Sequence, residues 1–160
     1  MSYPHCDQKM YNKSIMTQPK SKIMKKIMVF GTFDGLHPGH INFFRQAKRL
    51  ATGSFLVVSI ARDSNVRKIK KYTPIHPESD RMKIVIESGL ADRVILGGVR
   101  NHLTHILKEH PDIIALGYDQ VEYVKNIKTE LAKMGLKVKI VRLKPYKEKV
   151  YKNKFIQNRK

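Results

Sequence analysis

Ile27-Met28-Val29-Phe30-Gly31-Thr32-Phe33-Asp34-Gly35-Leu36-His37-Pro38-Gly39-His40 carries the clearest structural pattern in the chain. An apolar run, short as a buried parallel strand should be, meets a glycine-punctuated turn and then a helical pattern. Strand, turn and helix in that order build phosphate sites in open α/β sheets. Gly31 and Gly35 let the backbone leave the strand in conformations that a side chain would penalise, and so bring it close to a ligand. His37-Pro38-Gly39-His40 opens the helix, where unpaired N–H groups and the positive end of the macrodipole favour an anion. Two imidazoles three positions apart on that first turn point to one side and can donate to one phosphate chain. A surface turn with two solvated histidines is the competing reading, and it fits the strand-turn-helix context less well.

Outward from this stretch the chain alternates short apolar runs with helical patterns. Ile41, Phe43, Phe44, Ala47, Leu50 and Ala51 give the first helix its core face, and Gly53 ends it. Further strands are predicted at Phe55–Ala61, Arg93–Leu96, Asp112–Leu116 and Val138–Leu143, after the first at Lys25–Phe30. Arg62 to Tyr72 reads as a cationic loop, and Pro74 to Arg81 as a turn into a helix whose buried side holds Met82, Ile84, Val85, Ile86 and Leu90. A helix follows with Leu103, Ile106 and Leu107 inward, then one over Val121–Met134 with Val124, Ile127, Leu131 and Met134 on one side. Five buried strands with right-handed crossovers predict an α/β fold: a doubly wound, Rossmann-like, five-stranded parallel sheet. The order 3-2-1-4-5 puts the glycine turn at the switch point, where ligands bind.

The chain's 160 residues suit one domain, and 41% hydrophobic with 28% charged residues is a globular balance. Residues 1–24 carry no sustained period and read as a flexible basic extension, with residues 25–160 as the folded domain. No apolar run approaches the ~20 residues of a membrane span, and the N-terminus lacks the pattern of a secretory signal. The single cysteine, Cys6, excludes an internal disulfide and a cysteine-built zinc site, and a cytoplasmic protein is the simplest expectation. Thirty-two Lys and Arg against 13 Asp and Glu give +19, which favours polyanionic partners. Nucleotide and nucleic acid both answer to that charge, and charge does not choose between them.

Gly31-Thr32-Phe33-Asp34-Gly35-Leu36-His37-Pro38-Gly39-His40 resembles the HxGH signature of the nucleotidyltransferase superfamily, which includes glycerol-3-phosphate cytidylyltransferase, phosphopantetheine adenylyltransferase and FAD synthetase. The resemblance implies that Thr32, Phe33, His37, Pro38, Gly39 and His40 contact a nucleoside triphosphate. Gly117-Tyr118-Asp119-Gln120, the Arg67 to Lys70 segment and Pro77-Glu78-Ser79-Asp80-Arg81 look most like stand-alone archaeal FAD synthetases, which transfer AMP from ATP to FMN. Asp119 would then accept from ribose hydroxyls, or else cap the helix that follows.

His37, His40 and Lys68 are the expected catalytic set. Tyr146, Lys152 and Asn153 join the nucleotide side, and Asp34, Lys70, Lys71 and Arg81 the acceptor side. Arg81 has an alternative, pairing with Glu78 or Asp80. His76 is read as structural. His102 and His105 are read as surface histidines, because a metal site needs more ligands than this pair. No protein metal cage is expected, and Mg²⁺ would be carried on phosphate oxygens and water. Relatives grip phosphate with a Ser/Thr-rich motif at the start of the last helix, where this chain has Val150-Tyr151-Lys152-Asn153-Lys154-Phe155. The hydroxyl donors are largely gone, which leaves altered substrate use or catalytic silence open.

The expected reaction is nucleotidyl transfer from ATP, or CTP, to a phosphorylated small-molecule acceptor with release of pyrophosphate. Glycerol-3-phosphate cytidylyltransferase is the alternative enzyme, and a non-catalytic nucleotide- or nucleic-acid-binding protein the alternative class. Dimers are common among relatives, so a homodimer is among the expected states.

Overall fold

In the computed structural model, residues 24–99, 102–120, 126–147 and 150 are described. The extension expected over residues 1–24 lies outside them apart from Met24, as do Lys152 and Asn153. Five strands, β1 (Lys26–Gly31), β2 (Phe55–Ile60), β3 (Arg93–Leu96), β4 (Ile113–Leu116) and β5 (Lys139–Arg142), form one sheet in the order β3-β2-β1-β4-β5. Every pairing is parallel. The strands are joined by α1 (Pro38–Lys48), α2 (Asp63–Lys70), α3 (Glu78–Glu87), α4 (His102–Glu109) and α5 (Ile127–Lys133). This is the doubly wound sheet read from the sequence, in the same order.

The two-residue period of β1 divides the core. Ile27 and Val29 face one cluster with Phe44 and Ala47 of α1 and Val85 of α3. Met28 and Phe30 face the other, with Leu103 and Ile106 of α4 and Ile127 and Leu131 of α5. Helices therefore cover both faces, and β1, buried from Ile27 to Phe30, lies in the centre. At the edge where the strands begin, two aspartates act alike. Asp92 accepts from the Leu56 amide at 2.7 Å, and Asp112 from the Lys26 amide at 2.9 Å and Lys25 Nζ at 2.8 Å. These bonds fix strand register from the edge remote from the glycine turn.

Three expectations are corrected. The cationic stretch after β2 is helical over Asp63–Lys70, with a single buried apolar residue, Val66. Ile86 and Met134, expected inward, are 54% and 48% exposed. Ile86 falls outside the buried stripe of α3, and Met134 is the residue that caps the end of α5.

Candidate active site

The site lies where β1 and β4 end side by side. Gly31 closes β1, and the chain turns through Phe33 at φ 50° and Gly35 at φ 81° into α1. Phe33 is held in that left-handed conformation by its ring, which is 3% exposed and packs edge-on to His40 at 5.1 Å and against Phe44 at 5.0 Å. The ring lies so close over Gly31 that a Cβ there would sit 2.5 Å from it. Gly31 is thus required by a close approach, and Gly35 by its backbone angle.

His37 is the N-cap of α1, and its Nδ1 accepts from the Gly39 amide at 3.1 Å. An imidazole that accepts at Nδ1 carries its proton on Nε2. His40 stacks on it with ring centroids 3.8 Å apart and planes 23° from parallel. His40 Nδ1 is buried with no hydrogen-bond partner. Burial, and then the neighbouring His37, hold the His40 imidazole down at about 3, against a hydrogen bond to the Gly35 backbone that pulls the other way. His40 is therefore neutral at physiological pH. The helix start differs from the expectation of bare amides: Pro38 brings no N–H, Gly39 donates to His37 Nδ1, and His40 donates to the His37 carbonyl at 2.9 Å. What the turn offers an anion is the positive end of the helix dipole and a paired imidazole edge.

Thr32 is 3% exposed, and its hydroxyl accepts from Lys70 Nζ at 2.9 Å. Lys70 thus reaches from the end of α2 across to the signature. Burial lowers its pKa, nearby Asp119 opposes the shift and Arg81 adds to it. Lys68 lies on the last turn of α2, and Lys71 follows as its left-handed cap with φ 59°; both are exposed. Asp119 is exposed in the turn after β4. That turn is tied to β1 by Gln120, whose Oε1 accepts from the Gly117 amide at 2.9 Å while its Nε2 donates to the Phe30 carbonyl at 2.8 Å. Arg142 of β5 donates to the Gly117 carbonyl at 2.8 Å. After β5 the chain returns to α1, where Gln46 bonds the Lys144 carbonyl at 3.0 Å and amide at 3.2 Å. Tyr146, just beyond, is 38% exposed.

Two residues expected to bind the acceptor are committed elsewhere. Arg81 is fully buried, and donates to the carbonyls of Thr32, Ala61 and His76 and to Asp63 Oδ1 at 2.6 Å. It presents no surface to a substrate, and its ionic partner is Asp63 rather than Glu78 or Asp80. The Asp34 side chain is 2% exposed and accepts from the Ile75 amide at 2.7 Å, the His76 amide at 3.0 Å and His76 Nδ1 at 2.8 Å. Burial would raise its pKa, but those three bonds outweigh it and hold the carboxyl below the usual range. Thr32 and Phe33 are each 3% exposed.

No local pattern marks Gln120 as a brace, Lys70 as reaching Thr32, or the part played by His105. His105 is half-buried, with Nδ1 accepting from the Gly98 amide at 3.2 Å and Nε2 lying 3.1 Å from Ser59 Oγ. It is a structural histidine rather than the surface one expected. Among the described residues no group of three or more His, Cys, Asp or Glu is placed to hold a metal ion. Among the same residues no helix is long and apolar enough to cross a membrane.

A family model described as cytidylyltransferase-like matches residues 28–156. A protein of Korarchaeum cryptofilum named FAD synthase is 50% identical over 120 residues, covering 74% of this chain and 81% of the relative. Another of that name, from Archaeoglobus profundus, is 43% identical over 128 residues, 80% of each chain. A crystal structure titled as a lipopolysaccharide core biosynthesis protein from Thermoplasma volcanium superposes with a TM-score of 0.71 at 38% identity, covering 77% of this chain and 98% of that one.

Proposed function

The chain belongs to the cytidylyltransferase-like family and is a nucleotidyltransferase, and from that premise we propose that it transfers AMP from ATP to FMN, giving FAD and pyrophosphate. The observation that carries this reading is the stacked pair His37 and His40 on the first turn of α1. The name FAD synthase on relatives 50% and 43% identical supports the choice of substrates.

In the proposed step a phosphate oxygen of FMN attacks the α-phosphorus of ATP in line. The new P–O bond forms as the bond to the bridging oxygen of the β-phosphate breaks, and pyrophosphate leaves with that electron pair. The attacking phosphate is already anionic, so positioning and charge stabilisation carry the reaction. His37 donates from Nε2 to the triphosphate. His40, neutral in the free protein, stacks behind it and gains proton affinity as the anion arrives. Lys68, Lys70 and Lys71 bring positive charge from α2, Asp119 takes the ribose hydroxyls, and Tyr146, Lys152 and Asn153 close the nucleotide side.

Among the described residues no side-chain cluster would cage a metal, so Mg²⁺ would enter with the triphosphate and would neutralise part of its charge. The large basic excess suits a protein that gathers two phosphate-bearing substrates. A cytoplasmic setting agrees with a chain that has one cysteine.

The test is pyrophosphate release from pure protein with Mg²⁺, offering ATP or CTP against FMN or glycerol 3-phosphate. Release with ATP and FMN alone is expected. Release only with CTP and glycerol 3-phosphate assigns the cytidylyltransferase reaction instead, and nucleotide affinity without any product assigns a sensor.

A further inference from the structure

We propose that His76 is an acceptor-binding residue, its imidazole held at Nδ1 by the buried Asp34 carboxylate so that Nε2 faces the acceptor's phosphate. The assignment rests on the adenylyl-transfer reading above. It starts from the commitment of Asp34, which lies within the signature and was the expected acceptor ligand. With three donors on its carboxylate and 2% of its side chain exposed, Asp34 touches no substrate. What it does touch is a ring that is 43% exposed.

Anchoring the 75–76 loop needs only the two amide bonds that Asp34 already accepts. The third bond fixes the direction of a side chain that would otherwise rotate in water, and ordering it costs conformational entropy. With Nδ1 turned to the carboxylate, Nε2 lies on the opposite, solvent-facing edge of the ring.

The backbone of His76 is fixed as firmly. Arg81 Nε donates to the His76 carbonyl at 3.0 Å, and the same guanidinium donates to the Thr32 carbonyl. Thr32 also receives Lys70 Nζ at 2.9 Å. One buried cation thus ties the His76 backbone to Thr32, whose hydroxyl meets Lys70, so the loop that carries His76 is braced against the signature.

The ligand class follows from the ring's partner. Nδ1 is taken by the Asp34 carboxylate, which leaves Nε2 as the one ring nitrogen open to a ligand, and a hydrogen bond shared there with an anionic phosphate group is charge-assisted.

His76→Asn tests this, because the Asn amide can still donate to Asp34 while nothing remains at the Nε2 position. The KM for FMN should rise roughly tenfold or more, as expected for one charge-assisted bond. The KM for ATP and the melting temperature should hold, and inhibition by riboflavin, which lacks the phosphate, should not change. His76→Gln, which returns a donor near Nε2, should recover part of the loss. An unchanged KM for FMN overturns the assignment, and so does a joint rise of both KM values with a lower melting temperature, the mark of a structural role. Absence of wild-type turnover with FMN overturns the FMN reading and this assignment with it, whereas turnover that His76→Asn leaves untouched overturns this assignment alone.

Discussion

His40 should make the protein acid-sensitive between pH 7 and pH 5. In the folded chain the imidazole is held down at about 3 by burial and by His37, against 6.5 for an unperturbed histidine. A base whose folded pKa is depressed takes up its proton more readily when unfolded. The neutral-histidine contribution is therefore intact above 6.5 and is lost as pH falls toward 3. Integrating the linkage relation from pH 7 to pH 5 gives a loss of about 2 kcal/mol from this residue, and about 5 kcal/mol once pH is below the folded value. Asp34 and Asp112, whose folded pKa values lie below the model-peptide 3.8, lose their contributions only at lower pH, so the pH 5–7 window isolates histidine. Urea unfolding of the wild type and His40→Asn at pH 7 and pH 5 reads the difference between the two pH dependences, and a change in cavity packing cancels from it. The wild type should lose about 2 kcal/mol more than the variant over that interval. Equal losses would refute the buried neutral imidazole and with it the electrostatic picture of the pair.

Other consequences follow from the same geometry. His40→Ala should lower turnover by roughly 10²–10³, the size of one lost charge-stabilising group, as read by pyrophosphate release. Gly31→Ala drives a methyl into the Phe33 ring, and should cost ~1–3 kcal/mol in thermal or urea unfolding together with activity, since Phe33 also seats His40. Arg81→Met leaves Asp63 and three carbonyls without their cation, and should destabilise by about 3 kcal/mol by urea unfolding, less than a fully buried pair because Asp63 keeps 24% of its side chain exposed. Gln120→Leu strands the Phe30 carbonyl and the Gly117 amide, and should cost ~1–3 kcal/mol while raising the KM for ATP more than that for FMN.

The parts of this fold that were legible in the sequence are those set by local pattern. The apolar runs at Ile27–Phe30, Leu56–Ile60 and Ile113–Leu116 are buried strands because no other arrangement hides them, and the glycines and histidines between Gly31 and His40 sit on the turn and helix start where their spacing puts them. α2 escaped because periodicity needs several buried positions and it has one, Val66, among charged residues. Arg81 and Asp34 escaped for a different reason. Their partners lie at Asp63 and His76, 18 and 42 positions away, while nearer acids and phosphates offered plausible local answers. His105 likewise gave no local sign of Ser59, 46 residues earlier. Side chains that brace a site are addressed through tertiary contacts, so a chain's own spacing reveals which residues gather at a sheet edge but not which of them face the ligand.

Nitrogen chemical shifts of the histidine rings during titration with a non-hydrolysable ATP analogue read out whether the paired imidazoles at the start of α1 receive the triphosphate. His37 Nε2 and the His40 ring should shift together as the nucleotide binds, and His37→Asn should weaken that binding. Saturating nucleotide that leaves both rings unmoved while perturbing residues elsewhere would contradict it.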